Sequence, residues 1–407
     1  MKKLVILFYI LGLSMTSIYA QNNFVVPDST NQIVFNAIGG VGSTKLPQAF
    51  LNKFIFPDYI NNELKDAASE QLSSTNLFGG ELGGNLTALF NFKRKKESKT
   101  QFFYGLSLGT QFEGNLNFTK DFFNLVFYGN QPFSGQSLSL NETSFKSISY
   151  SYIEGSYGFK RIQKTGNSSI WIDAALLVGH GFSDFEVGSG SIFTEENGDY
   201  IDIRLKKSSL ERSDSVNTSL NKGLGSKFDI HYARQSSSYT FLCSVENIGG
   251  ILWNNVTHAN LDTTFSFEGI EVGDIFQFSD SVLNQVSSVD SFVETQVANK
   301  FKSLPLNISL YYNGQFEKFE FDLFLKHRFL VNYTPFFRAG LYLKSSVFSP
   351  GATIAYGGYS GFQAGINGDL YINKLIKLQV GTNNILGAIF PNQSSALDIY
   401  TGLKFSF

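Results

Sequence analysis

Apolar and polar positions alternate along most of this chain. Phe102, Tyr104, Leu106, Leu108, Thr110 and Phe112 form a mostly apolar set, and the intervening Phe103, Gly105, Ser107, Gly109, Gln111 and Glu113 are smaller or more polar. Phe228, Ile230 and Tyr232 alternate with Lys227, Asp229 and His231 in the same way, and Phe319, Phe321, Leu323 and Leu325 with Glu320, Asp322 and Lys326. A period of two places successive side chains on opposite faces of a strand. A strand with lipid on one side and a wet lumen on the other must read like this. Soluble sandwich strands alternate too, but they run to about 5–6 residues, whereas many segments here reach the ~9–11 needed to cross a bilayer. The pattern predicts an all-β fold, a transmembrane antiparallel β-barrel filling residues 21–407 as one unit.

Counting back from the last residue gives candidate strands at 396–407, 375–385, 361–372, 351–358, 336–347, 318–330, 304–313, 239–248, 222–234, 169–181, 146–160, 101–113, 81–92 and 32–41, which is about 14. An even number puts both ends in the periplasm. Connections on that side are then short, including one at Phe348–Pro350, while 42–80, 114–145, 182–221 and 249–303 fall outside. Short periplasmic turns with long external loops are characteristic of bacterial barrels. Later external connections are short, so one side of the rim should stand taller. Two long connections carry helical periods: 46–73, with Phe50, Phe54, Ile60, Leu64, Ala67 and Leu72 broken at Pro57, and 274–302, with Phe278, Val282, Val286, Val289, Val293, Val297 and Phe301. Each needs a partner for its narrow apolar face, as a packed cover, a lid or a plug.

Composition narrows the classes further. Charged residues are 16% of the 407 and aromatic residues 15%, with 42 Phe, 19 Tyr and 38 Gly. With 32 Lys+Arg against 34 Asp+Glu there is no basic field for nucleic acid. One Cys excludes a disulfide scaffold and a CxxC zinc site, and four scattered His argue against a His-based metal centre. Residues 1–20 read as a secretory signal, with Lys2 and Lys3 before an apolar Leu4 to Leu13 and a cleavage site at Ile18-Tyr19-Ala20. No later stretch approaches 18 continuous apolar residues, so membrane insertion must use strands. The expected location is the outer membrane, with its lipid as the surrounding phase. In the last segment Leu397, Ile399, Leu403, Phe405 and Phe407 share one face opposite Asp398, Tyr400, Lys404 and Ser406. A final amphipathic strand closed by an aromatic residue resembles the signal read by the barrel-assembly machinery, with Leu403, Phe405 and Phe407 carrying it.

The run Ser244-Val245-Glu246-Asn247-Ile248-Gly249-Gly250-Ile251-Leu252-Trp253-Asn254-Asn255 resembles a block in an uncharacterised family of Bacteroidetes outer-membrane barrels. Phe265 to Ile270 and Ser303-Leu304-Pro305-Leu306 follow in the order that family shows, and Ala49 to Phe54, continuing to Asn62 to Lys65, is also similar. The resemblance implies a barrel in the outer membrane, distantly similar to the FadL-type fatty-acid transporters. Those have 14 strands and an N-terminal hatch, whereas only Gln21–Asn31 precedes the first strand here.

No nucleophile elbow, zincin helix, Walker loop or dinucleotide fingerprint occurs in its structural context. Gly39-Gly40-Val41-Gly42 reads as relief of crowding at a strand end. Asp229 and His231 share an inward face with Ser226 opposite, so a hydrolase built from them is a distant reading. Glu195 to Asp199 reads as a turn, and Cys243 as a small lipid-facing residue. The remaining candidates are the inward-phased Lys227, Asp229, His231, Glu246, Glu320, Asp322, Lys326, Arg328 and Arg338. Their mixed signs suggest a braced wall of ion pairs. No catalytic residue, cofactor or metal is expected. The leading function is a channel or transporter for small, conceivably apolar, solutes. The alternative is a platform whose tall loops bind an envelope or secretion partner.

Overall fold

The computed structural model describes residues 30–92, 99–213, 221–268 and 295–407. The signal segment and most of the helical period at 274–302 lie outside these residues. The described chain forms one antiparallel sheet of 18 strands. Fourteen of them close into a barrel: β1 (Gln32–Ser43), β2 (Thr75–Phe92), β3 (Thr100–Thr119), β5 (Ser144–Gln163), β6 (Gly166–Thr194), β8 (Gly223–Gln235), β9 (Tyr239–Asn260), β12 (Asn307–Phe316), β13 (Phe319–Arg328), β14 (Thr334–Leu343), β15 (Phe348–Gly358), β16 (Phe362–Tyr371), β17 (Ile376–Thr382) and β18 (Ala396–Ser406). Closure runs through β1, which pairs with β2 from Gln32↔Leu89 to Ser43↔Phe78 and with β18 from Gln32↔Ser406 to Gly42↔Ala396. Each expected strand corresponds to one of these. No helix among the described residues is long and apolar enough to cross a membrane. The closed sheet can, because it leaves no unpaired edge in lipid.

The alternation fixes the faces. Leu106, Leu176, Leu323 and Ile354 are 52%, 69%, 41% and 54% exposed on the outer surface, while their neighbours Ser107, Ala175, Asp322 and Ala355 are buried inside. Apolar residues thus ring the outside of the fourteen strands, as an outer-membrane barrel requires.

The barrel is uneven. At the end holding Gln32 and Ser406 the turns are short; we call it the turn end, and the opposite one the mouth. β6 has 29 residues and β13 has 10, or about 95 Å against about 33 Å of strand path. The surplus rises above the mouth as a wall. It is extended by β4 (Ser137–Ser139), β7 (Tyr200–Arg212), β10 (Thr263–Glu268) and β11 (Thr295–Ser303), which pair with β6, with β6 and β9, with β7 and with β9 respectively. Much of what the sequence presents as external loop is therefore strand. The helical period at 274–302 fails at its end: Val297 and Phe301 lie on β11 and are exposed. Their spacing of four suits one strand face as well as one helix face. The connection expected at Phe348–Pro350 lies at Lys344–Val347, and Pro350 belongs to β15. Pairing of β15 with β14 begins only at Tyr342↔Gly351, so the missing N–H of Pro350 costs no bond there.

Helices α1 (Gln48–Ile55) and α2 (Asn62–Gln71) occupy the period at 46–73, on either side of Pro57. Asn61 caps α2 by accepting the Leu64 N–H at 3.1 Å. A third helix, α3 (Lys120–Tyr128), follows β3 and is capped by Thr119, whose hydroxyl accepts the Phe122 N–H at 3.0 Å. Phe50 of α1 meets Phe123 and Phe127 of α3 with ring centroids 5.4 and 5.0 Å apart. With Leu51, Ala68, Leu72 and Phe118 these rings make a buried cluster beside the mouth. α1 is also tied to the β17–β18 connection, where the Gln48 and Ala49 N–H groups donate to Ser394 and Pro391 carbonyls at 2.6 and 2.9 Å.

Candidate functional site

Inward side chains of β1, β2, β3, β5, β6, β8, β9, β12 and β13 line a cavity of about 240 Å³ within the barrel. Five carboxylates line it, from Glu81, Glu154, Asp173, Asp229 and Glu246, with three basic groups, from Lys227, Lys326 and Arg328, and with His231. Six of the nine lumen candidates from the sequence, Lys227, Asp229, His231, Glu246, Lys326 and Arg328, thus share one cavity. Asp322 and Arg338 lie nearer the turn end, where Arg338 Nη2 donates to Asp322 Oδ2 at 3.1 Å and the Tyr342 hydroxyl donates to the same oxygen at 2.7 Å. Glu320 accepts from Asn313 Nδ2 at 2.7 Å.

Two charged patches face the cavity. On the β5–β6–β8–β9 side, Lys227 Nζ donates to Glu154 at 2.9 Å and to Asp229. Asp229 Oδ1 accepts the backbone N–H of Asn247 at 2.6 Å. Asn247 has φ +66, close to where the pairing of β8 with β9 shifts register between Phe228 and Ile230. Asn tolerates this left-handed conformation better than most residues. The His231 ring stacks on Trp171 at 4.8 Å. Its Nε2 lies 3.0 Å from Asp173 Oδ2 and its Nδ1 2.7 Å from Ser244 Oγ.

The second patch lies at the mouth. Arg328 pairs with Glu81 and, at 3.0 Å, with Glu113. The Tyr359 hydroxyl donates to Glu113 at 3.0 Å, and the Arg328 guanidinium sits 5.0 Å from the centre of the Tyr333 ring. Tyr333 and Tyr359 meet edge to face at 5.1 Å. They come from the β13–β14 and β15–β16 connections, which turn inward over the lumen. Tyr359 follows Gly357 and Gly358, at φ +100 and +73, values that favour glycine. Its ring fills a notch at Gly79, where an added Cβ would lie 2.3 Å away, and the Cβ of neighbouring Ser360 would sit 3.2 Å from one built on Gly42. The glycines of the first two strands thus relieve crowding at the closed mouth.

The turn end is closed differently. Leu89, Phe103, Trp171, Ala233 and Leu242 are buried together inside the barrel, with Tyr311 packed against them. The cavity therefore has an apolar floor, an ionic wall and a tyrosine cover.

These charges lie on the inward phase of their strands, which alternation sets. Glu81, Glu113, Glu154, Asp173, Ser244, Tyr333 and Tyr359 were missed as partners because pairing depends on cross-strand register. The weighed grouping of Asp229, His231 and Ser226 does not form, since Ser226 points outward. Instead His231 lies between Asp173 and Ser244. Ser244 is fully buried and takes no part in lining the cavity, so its hydroxyl is enclosed rather than presented as a nucleophile. Leu403, Phe405 and Phe407 lie exposed on the outer face. Phe407 exchanges backbone bonds with Asn31 at 2.9 and 3.1 Å, continuing the seam where the barrel closes.

Beyond the spanning strands, Glu211 on β7 meets Lys300 and Lys302 of β11, and Lys302 also reaches Asp184 of β6 at 2.9 Å. Burial would raise the Glu211 carboxyl, but hydrogen bonds from the two ammonium groups outweigh it and hold it at about 2. This cluster braces the wall.

Comparison with known proteins gives distant likenesses at low identity. It is similar to the P. putida toluene transporter TodX, at 9% identity, with 94% of this chain and 91% of that one covered and a TM-score of 0.43. A Pseudomonas aeruginosa FadL homologue is similar at 9% identity, 92% and 89% coverage and a TM-score of 0.41. The transport unit of the autotransporter AIDA-I from Escherichia coli is similar at 10% identity, 99% and 97% coverage and a TM-score of 0.30. No curated protein matches. At such scores the fold rests on the closed sheet itself. Over residues 12–382 the sequence matches a described family, and the chain belongs to it: the family of unknown function DUF5723.

Proposed function

We propose that this protein is a gated outer-membrane channel for small polar solutes. In this reading the segment 1–20 exports it, the barrel-assembly machinery inserts it through Leu403, Phe405 and Phe407, and the mouth faces outward. The observation that carries the reading is the ionic cavity in the lumen, with an apolar cluster on its turn-end side and a pair of tyrosines on its mouth side. Burying charged groups in pairs costs more than filling the same space with apolar side chains, so a barrel needing only a solid interior has no use for five carboxylates and three basic groups around a void. The ionic wall favours polar over apolar solutes. The cover is a pair of short connections held by side-chain contacts, which can swing without unpairing the barrel.

A platform function has one observation in its favour: the wall of β6, β7, β9, β10 and β11 rises well beyond what a pore requires. Solute-induced swelling of proteoliposomes separates the two readings. Barrels carrying Phe103→Ala and Tyr359→Ala together should admit small sugars and amino acids faster than wild type. Folded, inserted double variants that admit none of them would overturn the channel reading.

A further inference from the structure

We propose that the cavity contains a binding site for a divalent transition-metal cation, made by Asp173, Asp229 and His231. This goes beyond the channel reading, because the site requires no solute to cross. The three residues come from adjacent strands, with Asp173 directly opposite Asp229 and Trp171 directly opposite His231 in the β6–β8 ladder. One ligand atom from each lies within 4.8 Å of the other two. A tetrahedral ion with bonds of about 2.1 Å holds its ligand atoms about 3.4 Å apart, so closing the site takes side-chain shifts of about an ångström.

Three independent features point to a cation there. The first is the imidazole. His231 Nδ1 lies 2.7 Å from Ser244 Oγ; in the tautomer whose Nδ1–H donates there, Nε2 turns a lone pair towards Asp173, as in metal-bound histidines held by a hydrogen bond on the far nitrogen. That lone pair lies 3.0 Å from a carboxylate oxygen of Asp173. In that tautomer two acceptors face each other at this distance, an arrangement that a cation between them relieves. The second is Asp173 Oδ1, a buried oxygen without a hydrogen-bond partner on a residue only 9% exposed.

The third is charge. Like charges directly opposite in a ladder are destabilising, and Asp173 faces Asp229. Lys227 neutralises one unit, but Glu154 on the same ammonium restores it. The three carboxylates of Asp173, Asp229 and Glu154 outnumber the one ammonium of Lys227 by two, an excess that one divalent ion would cancel. Lys227 and the Asn247 N–H hold Asp229, and the Trp171 stack fixes the imidazole plane. One imidazole nitrogen with two carboxylates suits Zn²⁺, Mn²⁺ or Fe²⁺ better than Mg²⁺ or Ca²⁺, which prefer oxygen alone.

The test uses full barrels without a polyhistidine tag, folded in detergent, stripped with chelator and titrated calorimetrically with Zn²⁺. Heat-dependent gel mobility confirms that each variant is folded. Wild type should bind one ion. Asp173→Asn and His231→Gln should each weaken binding by more than tenfold, and Ser244→Ala, which only orients the imidazole, by about tenfold. Asp173→Asn preserves shape and decides the matter if His231→Gln does not fold. Absence of Zn²⁺ binding by wild type at millimolar concentration would overturn the proposal and leave a proton as the charge between Nε2 and Asp173. Unchanged binding in folded Asp173→Asn would overturn it too, by placing the ion elsewhere. Swelling measured in chelator tests the channel separately.

Discussion

Replacing Asp322 by Ala should destabilise the barrel far more than removing any single surface charge. Arg338 is wholly buried, and Asp322, itself 1% exposed, supplies the carboxylate at 3.1 Å that balances it. The Phe324 ring lies 5.5 Å from the guanidinium but cannot replace a full negative charge. Breaking a buried pair by removing one partner costs about 3–5 kcal/mol, whereas exchanging both for apolar residues of similar volume is often neutral. Asp322→Ala should therefore shift the unfolding equilibrium by roughly two to nearly four decades, at about 1.4 kcal/mol per decade, and Asp322→Leu with Arg338→Leu should recover most of the loss. Urea unfolding from lipid vesicles measures this, with Trp171 and Trp253, both buried, as fluorescence reporters. A single variant within about 1 kcal/mol of wild type would refute the buried pair, as would a double variant no better than the single one.

Other expectations follow from the same geometry. Leu323→Arg places a charge on the lipid face and should cost about 2–4 kcal/mol near mid-bilayer, lowering the assembled barrel well below Leu323→Ala; equal yields would show the face to be misassigned. The Glu211 carboxyl, held at about 2 against an ordinary 4.5, contributes stability above pH 4.5 that is lost as pH falls towards 2. Hydrogen exchange in β7 and β11 should accelerate across that window in wild type and show no such step in Glu211→Gln. Deleting Phe407 removes two backbone bonds at the closing seam and the last outward aromatic ring. It should lower outer-membrane levels relative to Ser406→Ala, and equal levels would remove Phe407 from the assembly signal.

Much of this architecture was legible because lipid and lumen impose opposite chemistry on alternate residues. Lys227, Asp229 and His231 could be turned inward from their neighbours Phe228 and Ile230 alone. The partners could not. Asp173 meets His231 only through the β6–β8 register, and Glu81 meets Arg328 across the lumen. Neither separation has a periodic signature. The wall was hidden for a related reason: where β6, β7 and β9 leave the membrane, their outer faces meet water and alternation loses its contrast. Val297 and Phe301 show the limit of spacing itself, since four residues apart is compatible with either a helix or a strand. The tyrosine cover was invisible because Tyr333 and Tyr359 lie in short connections with no period to read.

The proposed gating of the lumen is tested most directly by single-channel recording in planar bilayers, comparing wild type with Tyr359→Ala, Phe103→Ala and the two combined. Losing Tyr359 removes a hydrogen bond to a charged group, worth about 1.5–3 kcal/mol, and an aromatic contact worth about 0.5–1.5 kcal/mol. The cover should then spend far more of its time open. Wild type should show rare brief openings, variants with either closure alone cut should change little, and those with both cut should carry sustained current. Inserted double variants as silent as wild type would contradict it.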